Sequence, residues 1–399
     1  MTDCCIIGGG IVGLSIAREL AGRGRTVRVL VREPWRDTAS WAAAGIFPPA
    51  PDLADATPNE RLTAWSDRLH RDWARDLLDE TGIDTGLRVC GGLHLSRDDA
   101  GCARLQVDAA AWRVRGVACE WLDAEGVTAC EPALAAGVGR AAVLGGYLLP
   151  DETQIRPPRH LEALERSCER RGVTITHGAT VRDILVRAGR VDGVVADVAG
   201  SFETVRAGAY VLAAGAWSGA LAKALGVSIE TRPIRGQIVQ LRMAEPQLVR
   251  VVNRGLDYLV PRADGTLLAG STLEDVGFDA STDEATIARL VAFARDLLGD
   301  LGGATPERSW AGLRPGTVDG LPTIGRAAAC DNAFVAAGHF RAGLHQSTGT
   351  AVLIADLAEG RRPTLEVEAF APNRAAQLPT KDSVSALLAR ARAEDCAER

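Results

Sequence analysis

Lysine is almost missing from this 399-residue chain. It stands only at positions 223 and 381, so nearly all of the 45 basic residues are arginine. The net charge is −6 with both signs interspersed, and no basic tract or arm exists to grip nucleic acid or an anionic membrane. Long apolar runs are lacking too; none approaches the ~20 residues that cross a bilayer. The nine cysteines include no CxxC pair, and the six histidines form no HExxH and no ligand-like spacing with cysteine, so no metal site is expected. An odd, scattered set of thiols reads as reduced core residues of an intracellular protein. The N-terminus enters CCIIGGG almost at once, with no basic stretch or cleavage site ahead of it, and the expected location is the cytoplasm. A composition 47% hydrophobic and 24% charged belongs to a packed globular chain, and its length suggests about two domains.

Glycine, by contrast, is plentiful and patterned. Residues 4–13, CCIIGGGIVG, run four strand formers into Gly8, Gly10 and Gly13 in GxGxxG spacing. LSIARELAGRGR follows with Leu14, Ala17 and Leu20 on one helical face, and TVRVLV at 26–31 reads as a second strand. In this strand–helix–strand setting Gly8 permits the tight turn, Gly10 lets the backbone approach a pyrophosphate, and Gly13 lets helix and strand pack closely. Ile11 and Val12 open a helix whose free N–H groups and dipole suit phosphates. One expected piece is missing. The carboxylate that ends the second strand and binds ribose is replaced by Val31, followed by Arg32 and Glu33. Glu33 from two residues on, or backbone and water, is the expected substitute.

Three further stretches favour FAD over NAD. SWAAAGIFPP at 40–49 is too small-sided for ordinary core; Ala44, Gly45 and Ile46 can pass close to a flat ring, with Ser40 available to the pyrophosphate. GAYVLAAGAWSG at 208–219 reads as a buried strand ending in a sharp turn at Gly215. AFVAAGHFRAGLHQSTGT at 333–350 runs into a helix, so its N-terminus can face an anionic ring edge. Within it, Phe340, Gly343 and Leu344 are placed at the cofactor, and His339 and His345 read as its hydrogen-bond partners more than as catalysts.

GGGIVG, SWAAAGI, YLVPRADGTLLAGST, SWAGLRPGTVDGLPTIG and AAGHFRAGL stand in the order found in the FAD-dependent D-amino-acid-oxidase-like flavoproteins. Over about residues 4–365 the chain resembles that family, and within it most the glycine oxidases associated with thiamine biosynthesis. The cofactor segments lie at both ends and in the middle, so the expected fold is α/β, with a discontinuous Rossmann-like FAD-binding domain (1–85, 150–222 and 308–365). A substrate domain on a mainly antiparallel sheet takes 86–149 and 223–307, and 366–399 form a polar tail with a loose or peripheral helix. Helices are expected over 60–82, 157–171 and 283–300. Strands are expected in 89–96, 141–150 and 237–242, with a hairpin at 257–271. The segment 173–181 reads as a strand of the FAD domain, and the resemblance puts Val181 against the adenine.

Arg314 stands between Leu313 and Pro315, and its charge cannot be lost, so it calls for an anion: an internal Asp or Glu, or a ligand's carboxylate. The resemblance implies the second, a two-pronged pair with a small amino-acid substrate. It makes Tyr258 the next contact through its hydroxyl, and Arg341 a third near both flavin and carboxylate. It also puts Ile46 and Leu273 on the pocket wall, where their bulk favours glycine, sarcosine or D-alanine. The implied reaction is hydride transfer to flavin N5, with molecular oxygen as acceptor and no side chain singled out as acid or base. No cysteine stands at Gly312 or nearby to attach the cofactor, so non-covalent FAD is expected. A D-amino-acid dehydrogenase passing electrons to a quinone or another carrier, and a flavin-binding module without turnover, remain as alternatives. The resemblance is compatible with a homo-oligomer.

Overall fold

The computed structural model describes residues 2–33, 38–137, 143–243, 248–299, 304–374 and 383–389. A six-stranded sheet runs in the order Thr323–Arg326, Ala333–Ala337, Ala209–Leu212, Cys4–Ile7, Val27–Val31, Thr174–His177. All its pairs are parallel except the first. Cys4–Ile7 is buried along its whole length, as an unbroken apolar run in a central parallel strand requires. Its side chains feed two cores in alternation. Cys4 and Ile6 join the helices Ile11–Gly22, Pro157–Arg170 and Ser347–Ala358 on one face. Cys5 and Ile7 meet Ile184, Val194 and Ala196 on the other. The second face is covered by an antiparallel meander of Ala179–Arg187, Arg190–Val198 and Ser201–Val205. The expected strand over 173–181 is thus two strands in two sheets, broken at Gly178, which has a positive φ of 69°. The eight described cysteines are free, and burial pushes the Cys5 and Cys168 thiols up to about 12, so they behave as core residues.

The other sheet has eight strands in the order Thr305–Gly316, Arg232–Arg242, Thr266–Gly270, Asp257–Pro261, Val251–Arg254, Gly92–Ser96, Gly145–Leu149, Glu120–Asp123. Only Val251–Arg254 with Gly92–Ser96 is a parallel pair. Alternation sorts its faces. Val239, Leu241, Leu259 and Leu267 pack outward under the helix Glu284–Leu298. Ile238, Tyr258, Val260 and Leu268 turn inward toward Ala44. Residues 305–316 were expected in part with the cofactor half, but they pair with Arg232–Arg242 and so place Arg314 in this sheet. The helix Asp99–Val114, capped by the Asp98 carboxylate on the Gly101 N–H at 2.6 Å, was not expected.

The tail is not loose where it is described. Residues 384–389 are helical, and Val384 and Leu387 bury against Ile234 and Phe340. Residues 375–382 and 390–399 lie outside the described residues. Among the described residues no helix is long and apolar enough to cross a membrane, and no group of His, Cys, Asp and Glu could hold a metal ion.

Candidate active site

A cavity of about 510 Å³ lies between the carboxyl ends of the parallel strands and the inner face of the eight-stranded sheet. That is the place and the size expected of a bound ligand in an α/β protein (roughly 300–1,000 Å³). Gly8, Gly10, Ile11 and Val12 form one end. Gly8 has φ 118°, and a Cβ on it would fall 2.3 Å from the Ala213 carbonyl oxygen. Gly13 does not line the cavity; a Cβ there would lie 1.9 Å from the Gly8 oxygen, so its role is close packing. The helix Ile11–Gly22 has no side-chain cap, and the Ile11 N–H donates to Ser40 Oγ at 2.9 Å, which leaves the hydroxyl proton to donate elsewhere.

The ribose end departs from expectation. Glu33 is not a cavity residue; its carboxylate sits 3.2 Å from His177 Nδ1, and His177 Nε2 also meets Glu165 at 2.7 Å. The cavity wall there is Val31, Val181 and Arg32, the last lying over the Trp217 ring at 4.0 Å. Farther along, Ala44, Gly45 and Ile46 are held by a buried arginine. Arg262 donates to the Ala44 and Ile155 carbonyls and to Gln154 Oε1, while the Ile155 N–H donates to the Gly45 oxygen at 2.8 Å. Gly215, His339, Phe340, Gly343, Leu344 and His345 complete this stretch. The helix beyond starts only at Ser347, after a turn in which the Gln346 N–H donates to the Ala342 oxygen.

At the far end stands Arg314. Its Nη2 donates to Ser271 Oγ at 2.8 Å and its Nη1 to the Thr272 carbonyl at 3.0 Å. Among the described residues no carboxylate is within ion-pair distance of it. Glu274, whose charge reaches it, is bound by Arg235 and by Gln237 Nε2 at 2.9 Å. Tyr258 lines the cavity beside it, and Arg341 is exposed there.

The sequence pattern of the FAD dependent oxidoreductase family DAO matches residues 3–357. The chain belongs to this family. Glycine oxidase of Pseudomonas aeruginosa is 35% identical over 369 residues, 92% of this chain and 97% of that one. The bifunctional protein ThiO/ThiG of Synechocystis is 34% identical over 379 residues, covering 94% of this chain and 54% of that longer protein. The crystal structure of glycine oxidase from Geobacillus kaustophilus matches with a TM-score of 0.86 at 31% identity, covering 94% of this chain and 99% of that one.

The cofactor of this flavoprotein is FAD, and the cavity suits it. The glycine turn and uncapped helix offer donors for a diphosphate, and the run of small side chains at 42–45 leaves room for a planar ring. Its electrostatics divide by end. Burial pulls Arg314 down to about 10, with the like charge of Arg341 adding and the Tyr258 side chain and Glu274 opposing, so it remains a cation at any working pH. His339, with Nε2 3.0 Å from Thr350 Oγ, is pulled down to about 4 by burial and is neutral. Leu273 is not a wall residue; it packs behind Phe340 with Val384 and Leu387. Trp217, Ser271 and Gly236 line the cavity and were not expected. Gly236 carried a signal only in retrospect. A Cβ there would fall 2.1 Å from Arg314 Nη2, so the guanidinium occupies the space of a missing side chain on the neighbouring strand.

Proposed function

We propose that this flavoprotein oxidises glycine or a similarly small amine, such as sarcosine or D-alanine, by hydride transfer from the α-carbon to FAD, with oxygen as electron acceptor. For glycine, one water and one oxygen molecule give glyoxylate, ammonia and hydrogen peroxide. The observation that carries the reading is the Arg314 guanidinium on the cavity wall, held by neutral oxygens and without a carboxylate among the described residues. A substrate carboxylate completes it with two parallel charge-assisted bonds, which no neutral partner matches. The Tyr258 hydroxyl takes a third bond to that carboxylate, Arg341 closes the exposed side, and Ile46 limits the side chain admitted. Bound FAD supplies the hydride acceptor. The protein's part is position and charge; the amine loses its proton to solvent before the hydride leaves, since neutral His339 is already engaged with Thr350. The likeness to a ThiO/ThiG protein supports service to thiamine thiazole synthesis.

The test is anaerobic mixing with glycine, sarcosine and D-alanine. Bleaching of the flavin, then rapid recolouring in air with peroxide formed, is the expected result. Bleaching with slow recolouring favours a D-amino-acid dehydrogenase, and no bleaching favours a module without turnover. Arg314→Ala should raise KM about a hundredfold or more, from two lost bonds to a charged group, and leave FAD affinity unchanged. Equal loss of FAD and substrate affinity would make Arg314 structural.

A further inference from the structure

The helical residues 384–389 pack where several parts of the candidate site meet. Buried Ser383 starts the turn: its Oγ accepts from the Ala386 N–H at 3.2 Å and its carbonyl from the Leu387 N–H at 3.0 Å. Val384 and Leu387 then form one buried cluster with Ile234 and Phe340, and Leu273 and Leu388 pack against it. Each partner of this helix leads to a different piece of the site. Ile234 lies directly opposite Arg314 in its strand pair, so both side chains leave the same face of the sheet. Gly316, two residues beyond Arg314, is on that face too. A Cβ on Gly316 would fall 2.2 Å from Val384 Cγ2, so the tail fills the space of a missing side chain beside Arg314. Leu273 follows Thr272, whose carbonyl accepts from Arg314, and Phe340 precedes Arg341 and lines the cavity.

Phe340 is the residue that needs this support. Its φ is 49°, in the left-handed region that a bulky side chain rarely enters. Such a conformation costs free energy and persists only where the surroundings over-determine it. Two things hold it. Its N–H donates to the Pro315 carbonyl at 3.0 Å, and its ring is closed in by Ile234, Val384 and Leu387 to 7% exposure. Two of those three side chains come from the tail.

We infer that the helix 384–389 is a clamp on the Arg314 end of the cavity, in which Val384 and Leu387 are positioning residues that hold Phe340 in its left-handed conformation and so place Arg341 and steady the Arg314 strand. Neither residue lines the cavity, so both act through the groups they pack against. When their side chains are cut back, the ring of Phe340 loses its backing, the backbone is free to leave its strained conformation, and Arg341 moves with it. The inference rests on the proposed pairing of a substrate carboxylate with Arg314 and Arg341, so one arm of its test uses no substrate.

The experiment pairs amide hydrogen exchange with steady-state kinetics on full-length, FAD-loaded enzyme. The double variant Val384→Ala with Leu387→Ala should speed exchange at the Phe340 amide about tenfold or more and leave the central parallel strands as protected as before. It should raise the KM for glycine about tenfold and keep kcat within about threefold of native, because the loosened contact to the carboxylate is made in ground and transition states alike. Gly316→Ala, which pushes Val384 away from the opposite side, should give the same two changes. Leu387→Met keeps the buried volume and should match the native enzyme in both. Native exchange at Phe340 in the double variant and in Gly316→Ala, or faster exchange there with a native KM, would overturn the inference and leave the tail as a cover for apolar surface. If the native enzyme proves inactive on glycine, the substrate reading fails and exchange at Phe340 alone decides the clamp.

Discussion

Arg262 is buried and Arg314 half-buried, neither has a carboxylate within ion-pair distance among the described residues, and desolvation holds both at about 10. What separates them is where their donors point. Arg262 spends its bonds on the Ala44, Ile155 and Gln154 oxygens and fixes the small-residue segment in place. Arg314 lines the cavity, and its fork is not closed by any carboxylate among the described residues. A buried charge is therefore not by itself a binding site; its direction decides. Gly236 gives the sharpest test of that direction, because the absent methyl would touch only the far end of a flexible side chain. Gly236→Ala should leave FAD content and thermal stability near native, displace the guanidinium, and raise the KM for glycine about tenfold or more, the cost of one misplaced charged bond. Steady-state kinetics beside a flavin absorbance spectrum check it, and an unchanged KM would mean that the guanidinium does not contact substrate.

At the scale of elements, what was legible depended on how much of each element is buried. The hairpin Asp257–Pro261 with Thr266–Gly270 is readable because a turn separates two nearly all-buried strands. Asp99–Val114 buries only Gly101 and Ala109, and Ala179–Arg187 only Ala179 and Ile184, so neither shows a strong period. The glycine turn and the Arg314 strand are local patterns, whereas the Glu33–His177 contact joins residues 144 apart and no spacing foretells it. The loop after Gly270 belongs to the same class. Arg235 binds Glu274, Asp279 at 2.6 Å and the Ser281 carbonyl, and Gln237 Nε2 holds Asp283 at 2.8 Å. These bonds fix the loop whose first residues, Ser271 and Thr272, orient Arg314. Removing one partner of a buried pair costs roughly 3–5 kcal/mol, but Asp279 is 51% exposed, so screening reduces the effect. Arg235→Ala should cost about 2 kcal/mol in thermal unfolding and also raise KM, because loop order and substrate binding are one feature. A stability loss with a native KM would separate them.

Across the whole molecule, acid should act through histidine before it acts through carboxylates. His70 and His339 are each pulled from 6.5 to about 4 and His160 well below 6.5, all by burial. For these groups the unfolded chain binds the proton more readily than the folded one. Their contribution is complete above pH 6.5 and is lost as pH falls from there through the folded values near 4. Each lost unit is worth about 1.4 kcal/mol, so at pH 5 His70 and His339 each cost about 2 kcal/mol, and His160 acts in the same direction. The depressed carboxylates work lower: Asp264 and Asp283 are held at about 2 against 3.8, so their contribution begins to fade only below that ordinary value. Unfolding of the FAD-loaded enzyme, followed by tryptophan fluorescence in urea, should give a free energy that is level from pH 8 to 7 and falls steeply between 6.5 and 4.5. His339→Asn cannot take up a proton and should flatten that fall by about 2 kcal/mol at pH 5. An unfolding free energy that stays level down to pH 5 would mean that these imidazoles are reached by water in the native protein, and that the wall they form behind the cavity is more open than their burial indicates.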